Sequence, residues 1–289
     1  MRKTATFWNF LGVRLFFGLK LRAMFRLSGL FIYPVKSLGG ISLLESKVES
    51  RGLQYDRRWL VVDENGVFLT QRQLPQMATI ETRIDTNELI LSARNDNFRV
   101  PLETEGPNAE VRIWNDVVSA IEIQNGVEKF LSDVLGHKCR LVWMPDSSER
   151  KVEENCAKNG EITSFSDGFP FLVLGQSSLD DLNLRLDEPF PANRFRTNFL
   201  FSGGEAFAED FWTRFRIGEV EFEILKPCSR CVITTIDQKS GDKEGKEPLK
   251  TLASYRARDG QVYFAQNAVA RSFGTVRVED EIEIIKTIG

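Results

Sequence analysis

Histidine is almost missing from this sequence. His137 is the only one in 289 residues, so Ser-His or Cys-His catalysis and histidine-rich zinc chemistry would all have to pass through it. Cysteine is scarce as well. Four in a chain of this size make no disulfide framework, and a reducing compartment, the cytoplasm, is expected. Long apolar runs are lacking: Phe7 to Leu27 is interrupted by Arg14, Lys20, Arg22 and Arg26, well short of the roughly 20 clean residues that span a bilayer. A secretory cleavage signal, internal repeats and low-complexity tracts are absent too. Net positive charge is confined to residues 1–29, which hold six basic groups and no acid, leaving 32 basic against 41 acidic groups in the rest. Such a body is a poor partner for nucleic acid, and any anionic ligand must be held by a local cluster.

What is present reads as a folded, mostly β protein. Hydrophobic residues at 42% and charged residues at 27% are ordinary for a globular chain, and the length suits two domains. Short runs of β-branched and aromatic residues follow one another: Leu30 to Val35, then Arg57 to Val62 and Val67 to Gln71 around Glu64-Asn65-Gly66. Leu89 to Ala93 and Phe98 to Leu102 flank Asn95-Asp96-Asn97, and Val111 to Trp114 and Val118 to Ile123 flank Asn115-Asp116. Further strands are expected at Phe171 to Leu174, Phe195 to Phe201, Glu219 to Leu225, Cys231 to Ile236 and Thr275 to Ile285, the last turning at Glu279-Asp280. Helices are few: Val127 to Leu135 before Gly136, Leu179 to Leu186 behind a capping Ser177, and Pro248 to Arg256. The polar stretch Asp146 to Gly168 reads as a surface link. The expected division is a basic extension at 1–27, a first domain at 28–145 and a second at 146–289. The extension suits either a weak membrane or partner contact or an upstream mis-start before Met24.

The sharpest motif is Pro227-Cys228-Ser229-Arg230-Cys231, lying on a strand connection. A thioredoxin-type pair would sit at a helix N-terminus, and a zinc site would need Cys139, Cys156 or His137 at irregular spacing. Two cysteines buried as small hydrophobes is the bland alternative. Arg230 argues for chemistry, because a guanidinium beside a thiol favours the thiolate, the form that ligates soft metals.

Cys228-Ser229-Arg230-Cys231 followed by Val-Ile-Thr-Thr-Ile-Asp, with Lys246-Glu247-Pro248-Leu249, resembles the core of the molybdenum-cofactor sulfurase C-terminal domain, MOSC. Tyr33-Pro34-Val35-Lys36-Ser37, Tyr55-Asp56-Arg57-Arg58-Trp59 and Thr70-Gln71-Arg72-Gln73 resemble the N-terminal β-barrel domain that accompanies it. Ser166-Asp167, Asn193 to Asn198, Ala208-Glu209-Asp210 and Gly274 to Asp280 are similar to further stretches of the family, so the likeness spans about residues 28 to 287. Within the family the chain looks most like the mitochondrial amidoxime-reducing component and its bacterial relatives.

That resemblance implies an α+β, mostly β fold of two barrel-like domains with peripheral helices. It implies an oxidoreductase that uses a molybdenum cofactor (Mo-molybdopterin) to reduce N-hydroxylated compounds. Cys231 would be the molybdenum ligand and Cys228 structural. Lys36, Ser37, Arg57, Arg196, Asn198 and Ser229 would surround the pterin and its phosphate, for which a point charge, planar forks and hydroxyl or amide donors are the fitting types. Asp167 would be a proton source or pterin partner, or simply a capping carboxylate. Arg58, Arg72 and Arg194 are expected at the surface. Gly168 and Phe169 stand where eukaryotic members carry hydroxyl residues, which puts substrate range in doubt. No plant-type Cys-x4-Cys-x2-Cys series occurs, so electrons must come from a separate protein, and pyridoxal phosphate is not expected. Two alternatives are a molybdenum-cofactor carrier and a sulfur-transfer protein carrying persulfide on Cys231.

Overall fold

The chain is described here by a computed structural model covering residues 24–243 and 245–288. The expectations for residues 1–23 fall outside these. No helix among the described residues is long and apolar enough to cross a membrane.

Seven strands close into a barrel: β1 (Phe25–Ile32), β2 (Phe171–Gly175), β3 (Phe199–Ser202), β4 (Trp212–Ile217), β5 (Val220–Ser229), β6 (Gln261–Ala270) and β7 (Glu281–Thr287). Their spatial order is β2-β3-β1-β7-β4-β5-β6, and β6 pairs back onto β2 to complete the ring. Alternation drives most of it. In β4 and β5, Trp212, Phe215, Ile217, Val220 and Phe222 point inward between charged neighbours, and the rings of Phe215 and Phe222 stack at 5.3 Å. β2 is buried throughout because it pairs parallel with β3 and is covered outside by helix α2 (Gln176–Asn183), through Leu172, Leu174, Leu179 and Leu182. Ser177 lies inside that helix and makes no capping bond.

The remaining strands form a second layered unit. A four-stranded sheet runs 59–62, 140–143, 116–122 and 108–113, beside a three-stranded meander of 81–85, 88–93 and 96–101. Helix α1 (Val127–Leu135), ended by Gly136 in the left-handed conformation, buries Val127, Leu131 and Leu135 against Trp59, Val61 and Leu141. The two units are stitched by their chain ends: β1 belongs to the barrel, and Glu45–Glu49 pairs with Gly274–Arg277.

Several expected elements differ. Val67 and Phe68 make only single bridges, because the chain turns inward at Thr70, whose carbonyl accepts from Gln73 N and Leu74 N. The turn of the 88–101 hairpin is Arg94-Asn95, both left-handed. Glu279-Asp280 does turn the chain, but Gly274–Arg277 and β7 enter different sheets. Residues 232–235 form a 3-10 turn and not a strand. The Thr234 and Thr235 hydroxyls donate to the carbonyls of Cys231 (3.0 Å) and Val232 (2.8 Å), so a neighbouring strand is not needed to satisfy them. The 146–168 segment is not a plain surface link: Phe165 is wholly buried beside Leu60, Val62 and Met144.

Candidate functional site

One cleft, enclosing about 800 Å³ of space continuous with solvent, lies where the two units meet. Lys36, Ser37, Arg57, Asp167, Arg196, Asn198, Ser229 and Cys231 all line it, although they are spread over nearly 200 positions of sequence.

Three of these side chains are aimed by backbone that few residues adopt. Ser37, Arg57 and Arg196 have φ of 69°, 51° and 53°, the left-handed region that favours glycine. Strain of this kind, of order 1 to 3 kcal/mol per residue, clusters at binding sites because the surroundings must over-determine it. Here the anchor is Asp56, which is 1% exposed. Its carboxylate accepts from Tyr33 N (2.7 Å), Arg57 Nη1 and Asn198 Nδ2 (3.2 Å). Arg57 also donates to Asn198 Oδ1 (3.2 Å) and to the Arg196 carbonyl (3.0 Å). The Tyr33 ring packs against both guanidiniums, with Arg57 and Arg196 at 4.4 and 4.2 Å from its centroid. Gly40 is required there, since a Cβ would meet that ring at 2.5 Å. Asn198 spends both amide donors on Phe31 O and Asp56, so it orients Arg57 and ties β1 to β3.

Lys36 Nζ meets Asp167 Oδ1 at 2.6 Å. Burial pulls the Lys36 pKa down to about 8, against the raising effect of Asp167. Burial would raise the Asp167 carboxyl, but Lys36, Arg72 and Arg57 outweigh it and hold the group well below the usual carboxylate range. Its side chain is 64% exposed, so water screens part of this effect. Burial likewise lowers Arg196 to about 10, aided by Arg57.

The bend that carries Asp167 is held by Arg150, which the sequence reading did not single out. Its guanidinium donates to the carbonyls of Ser164 (3.1 Å), Ser166 (2.6 Å) and Asp167 (3.3 Å), and to Asp116 (2.7 Å). Three surface expectations are overturned: Arg58 and Arg194 are 7% and 3% exposed, and Arg72 lines the cleft. Arg58 donates to Met144 O and Asp146, whereas Arg194 pairs with Asp237 at 2.9 Å. The role given to Arg230 also changes. Its Nη1 lies 3.0 Å from Cys228 Sγ, and the guanidinium beside Cys231 Sγ is Arg72, with Nη2 at 3.5 Å.

Five cations, Lys36, Arg57, Arg72, Arg196 and Arg230, thus surround the cleft against the exposed carboxylate of Asp167. Arg196 Nη2 and Arg230 Nε are buried without a hydrogen-bond partner among the described residues. Buried donors left unmatched ask for an acceptor from outside the chain, and an anionic, phosphate-bearing group supplies one. No group of three or more His, Cys, Asp or Glu side chains that could hold a metal exists among the described residues. The guanidiniums, ammonium and hydroxyls of the lining, with the Cys228 and Cys231 thiols beside them, fit a metal carried on its own anionic organic ligand.

This two-unit β protein, with a cation-lined cleft at the junction, belongs to the MOSC family: the MOSC N-terminal beta barrel domain matches residues 24–138 and the MOSC domain matches residues 161–283. Among its relatives is mitochondrial amidoxime-reducing component 1 of Mus musculus, 34% identical over 276 residues, which cover 89% of this chain and 81% of that one. The Homo sapiens protein of the same name is 33% identical over 275 residues, 89% of this chain and 82% of that one. Molybdenum cofactor sulfurase of Oryza sativa subsp. japonica is 32% identical over 82% of this chain, a match that occupies 32% of the sulfurase.

The Lys36 value has a consequence for anion binding. Sulfate keeps a fixed charge across neutral to alkaline pH, so its affinity should weaken as Lys36 loses its proton above about pH 8. Losing one charged contact of about 1.5 kcal/mol or more corresponds to about tenfold or more. Because folding lowers this pKa from 10.5, the stability linked to Lys36 is present at high pH and lost as pH falls through 8. Weaker binding at pH 9.5 should therefore not coincide with Lys36-linked unfolding. Calorimetric titration at pH 7 and 9.5 checks this, and a Lys36→Met protein with an unchanged pH profile would contradict it.

Proposed function

We propose that this chain is a molybdenum-cofactor-dependent reductase of N-hydroxylated compounds, taking its electrons from a separate redox protein. The observation that carries the reading is the Cys231 thiol, which lines the cleft together with Cys228, beside a cationic cradle that leaves Arg196 Nη2 and Arg230 Nε unsatisfied. When bound, the cofactor supplies the two electrons and the oxygen acceptance that breaking an N–O bond needs.

The chain's own part is to bind and orient. Cys231 fastens the metal. Lys36, Arg57 and Arg196 take the anionic end of the pterin, with Ser37 and Ser229 supplying hydroxyls at the lining. Asp167, ionised and tethered to Lys36, orients that lysine and can accept a hydrogen bond from a substrate N–H or O–H at the mouth. The mouth widens toward Trp114, Phe169 and Lys226, leaving room for the body of a substrate.

The test is molybdenum and pterin content after expression in hosts with and without cofactor synthesis, followed by reduction of an amidoxime with a chemical electron donor. Near-stoichiometric molybdenum only in the competent host, with turnover, is expected. Molybdenum without turnover would instead support a carrier. The sulfurase relative keeps a third outcome in view, persulfide on Cys231 and no metal, which peptide mass spectrometry reads directly.

A further inference from the structure

We infer that Arg72 is a positioning residue of the thiol: it donates a hydrogen bond from Nη2 to Cys231 Sγ and thereby limits how much negative charge that sulfur gives a bound metal. The inference rests on Cys231 being the ligand, as proposed above.

The contact reaches from one unit to the other. Arg72 sits on the inward turn at Thr70, 159 positions from Cys231, with Nη2 3.5 Å from the sulfur. Its backbone is fixed from both sides: Arg72 N donates to Thr70 Oγ1 (3.2 Å), and Thr70 N donates to Gln73 Oε1 (3.0 Å). The neighbouring Gln71 is fully buried, donating to Ser37 O (2.8 Å) and exchanging hydrogen bonds with Gln238. The guanidinium itself lies 4.7 Å from the Trp114 ring centroid and 4.0 Å from Asp167 Oδ2. Trp114 is held left-handed, at φ 55°, with its ring 5.0 Å from that of Phe68. A long side chain locked at its root, flanked by a ring and opposed by a carboxylate has few other places to point. Arg230, adjacent to Cys231 in sequence, is engaged elsewhere, by Cys228 Sγ and by the carbonyl of Phe195 at 2.8 Å.

An N–H donor on a metal-bound sulfur withdraws electron density from it, and hydrogen bonds to ligand sulfurs are among the levers that set reduction potentials. Arginine suits the task better than lysine, because its planar fork can lie on Trp114 while one N–H faces the sulfur. Neither arginine nor tryptophan need touch the substrate for this.

Two measurements test the inference. In metal-loaded holoprotein, Arg72→Met should show a lower midpoint potential in an EPR-monitored redox titration, with an altered signal, at whatever fraction of molybdenum it holds. Arg72→Lys should restore part of the shift, and Trp114→Leu should produce a smaller one in the same direction. A wild-type potential and spectrum in metal-loaded Arg72→Met would overturn the inference. In metal-free protein, alkylation of Cys231 by iodoacetamide, mapped by peptide mass spectrometry at one neutral pH, should slow at least threefold in Arg72→Met, with Cys228 unaffected. An unchanged Cys231 rate would equally overturn it. Wild-type protein that binds no molybdenum, while the alkylation difference holds, would count against the reductase reading and leave the contact standing.

Discussion

Cys231→Ser protein should purify folded, hold almost no molybdenum and reduce no amidoxime above background, whereas Cys228→Ser should keep its metal and stay within a few-fold of the wild-type rate. The contrast follows from what each sulfur does. Cys231 caps the 232–235 turn through its backbone: its carbonyl accepts from Thr234 N (3.2 Å) and Thr234 Oγ1 (3.0 Å), and serine keeps both. Its side chain is only half-buried, so the exchange should cost stability no more than about 0.5 kcal/mol. A hydroxyl, however, stays protonated near neutral pH, where a thiol readily gives the thiolate that bonds a metal. Cys228, by contrast, packs at the edge of the cluster around Leu172 and Phe195 and accepts from Arg230 Nη1. Serine can still accept there. Metal analysis and thermal melting on both variants decide the matter, and equal tolerance of the two changes would remove Cys231 as the ligand.

Asp56→Ala should be the most damaging change that touches neither thiol nor substrate. Asp56 is buried and takes hydrogen bonds from the backbone of Tyr33, from Arg57 and from Asn198. Removing it leaves a guanidinium with 11% side-chain exposure uncompensated, a loss of about 3 to 5 kcal/mol. The left-handed backbone at Arg57 loses part of what holds it, so retention of a bound anion should fall together with stability. Urea denaturation with metal analysis of the folded fraction measures both. A variant that melts like wild type and stays fully loaded would show that Asp56 is not the keystone of the cradle.

The mostly β character and the strands of the second half were legible because alternation such as Glu219 to Leu225 reports a half-buried sheet whatever the partner strand is. The eight site residues came from motif likeness, and the structure brings them to one cleft. What sequence could not show was the means of aiming them. Nothing in the letters Ser37, Arg57 or Arg196 signals a left-handed backbone, since glycine or asparagine is the usual marker. Adjacency misled in the case of Arg230, which turns to Cys228 while a residue from the other unit reaches Cys231. Arg150 and Asp56 looked like ordinary charged residues, because burial of a charged side chain is a property of the packed molecule. The Val232 to Thr235 run reads as strand on β-branching alone, and its hydroxyls decided otherwise.

The place of β1 constrains how such a molecule can be assembled. Phe25 and Arg26 align with Ile282 and Glu281, and Leu27 N donates to Asp280 O at 2.9 Å. Strand β1 must therefore wait for β7, which lies beyond every other barrel strand in sequence, before the ring can shut, a pairing of high contact order and correspondingly slow closure.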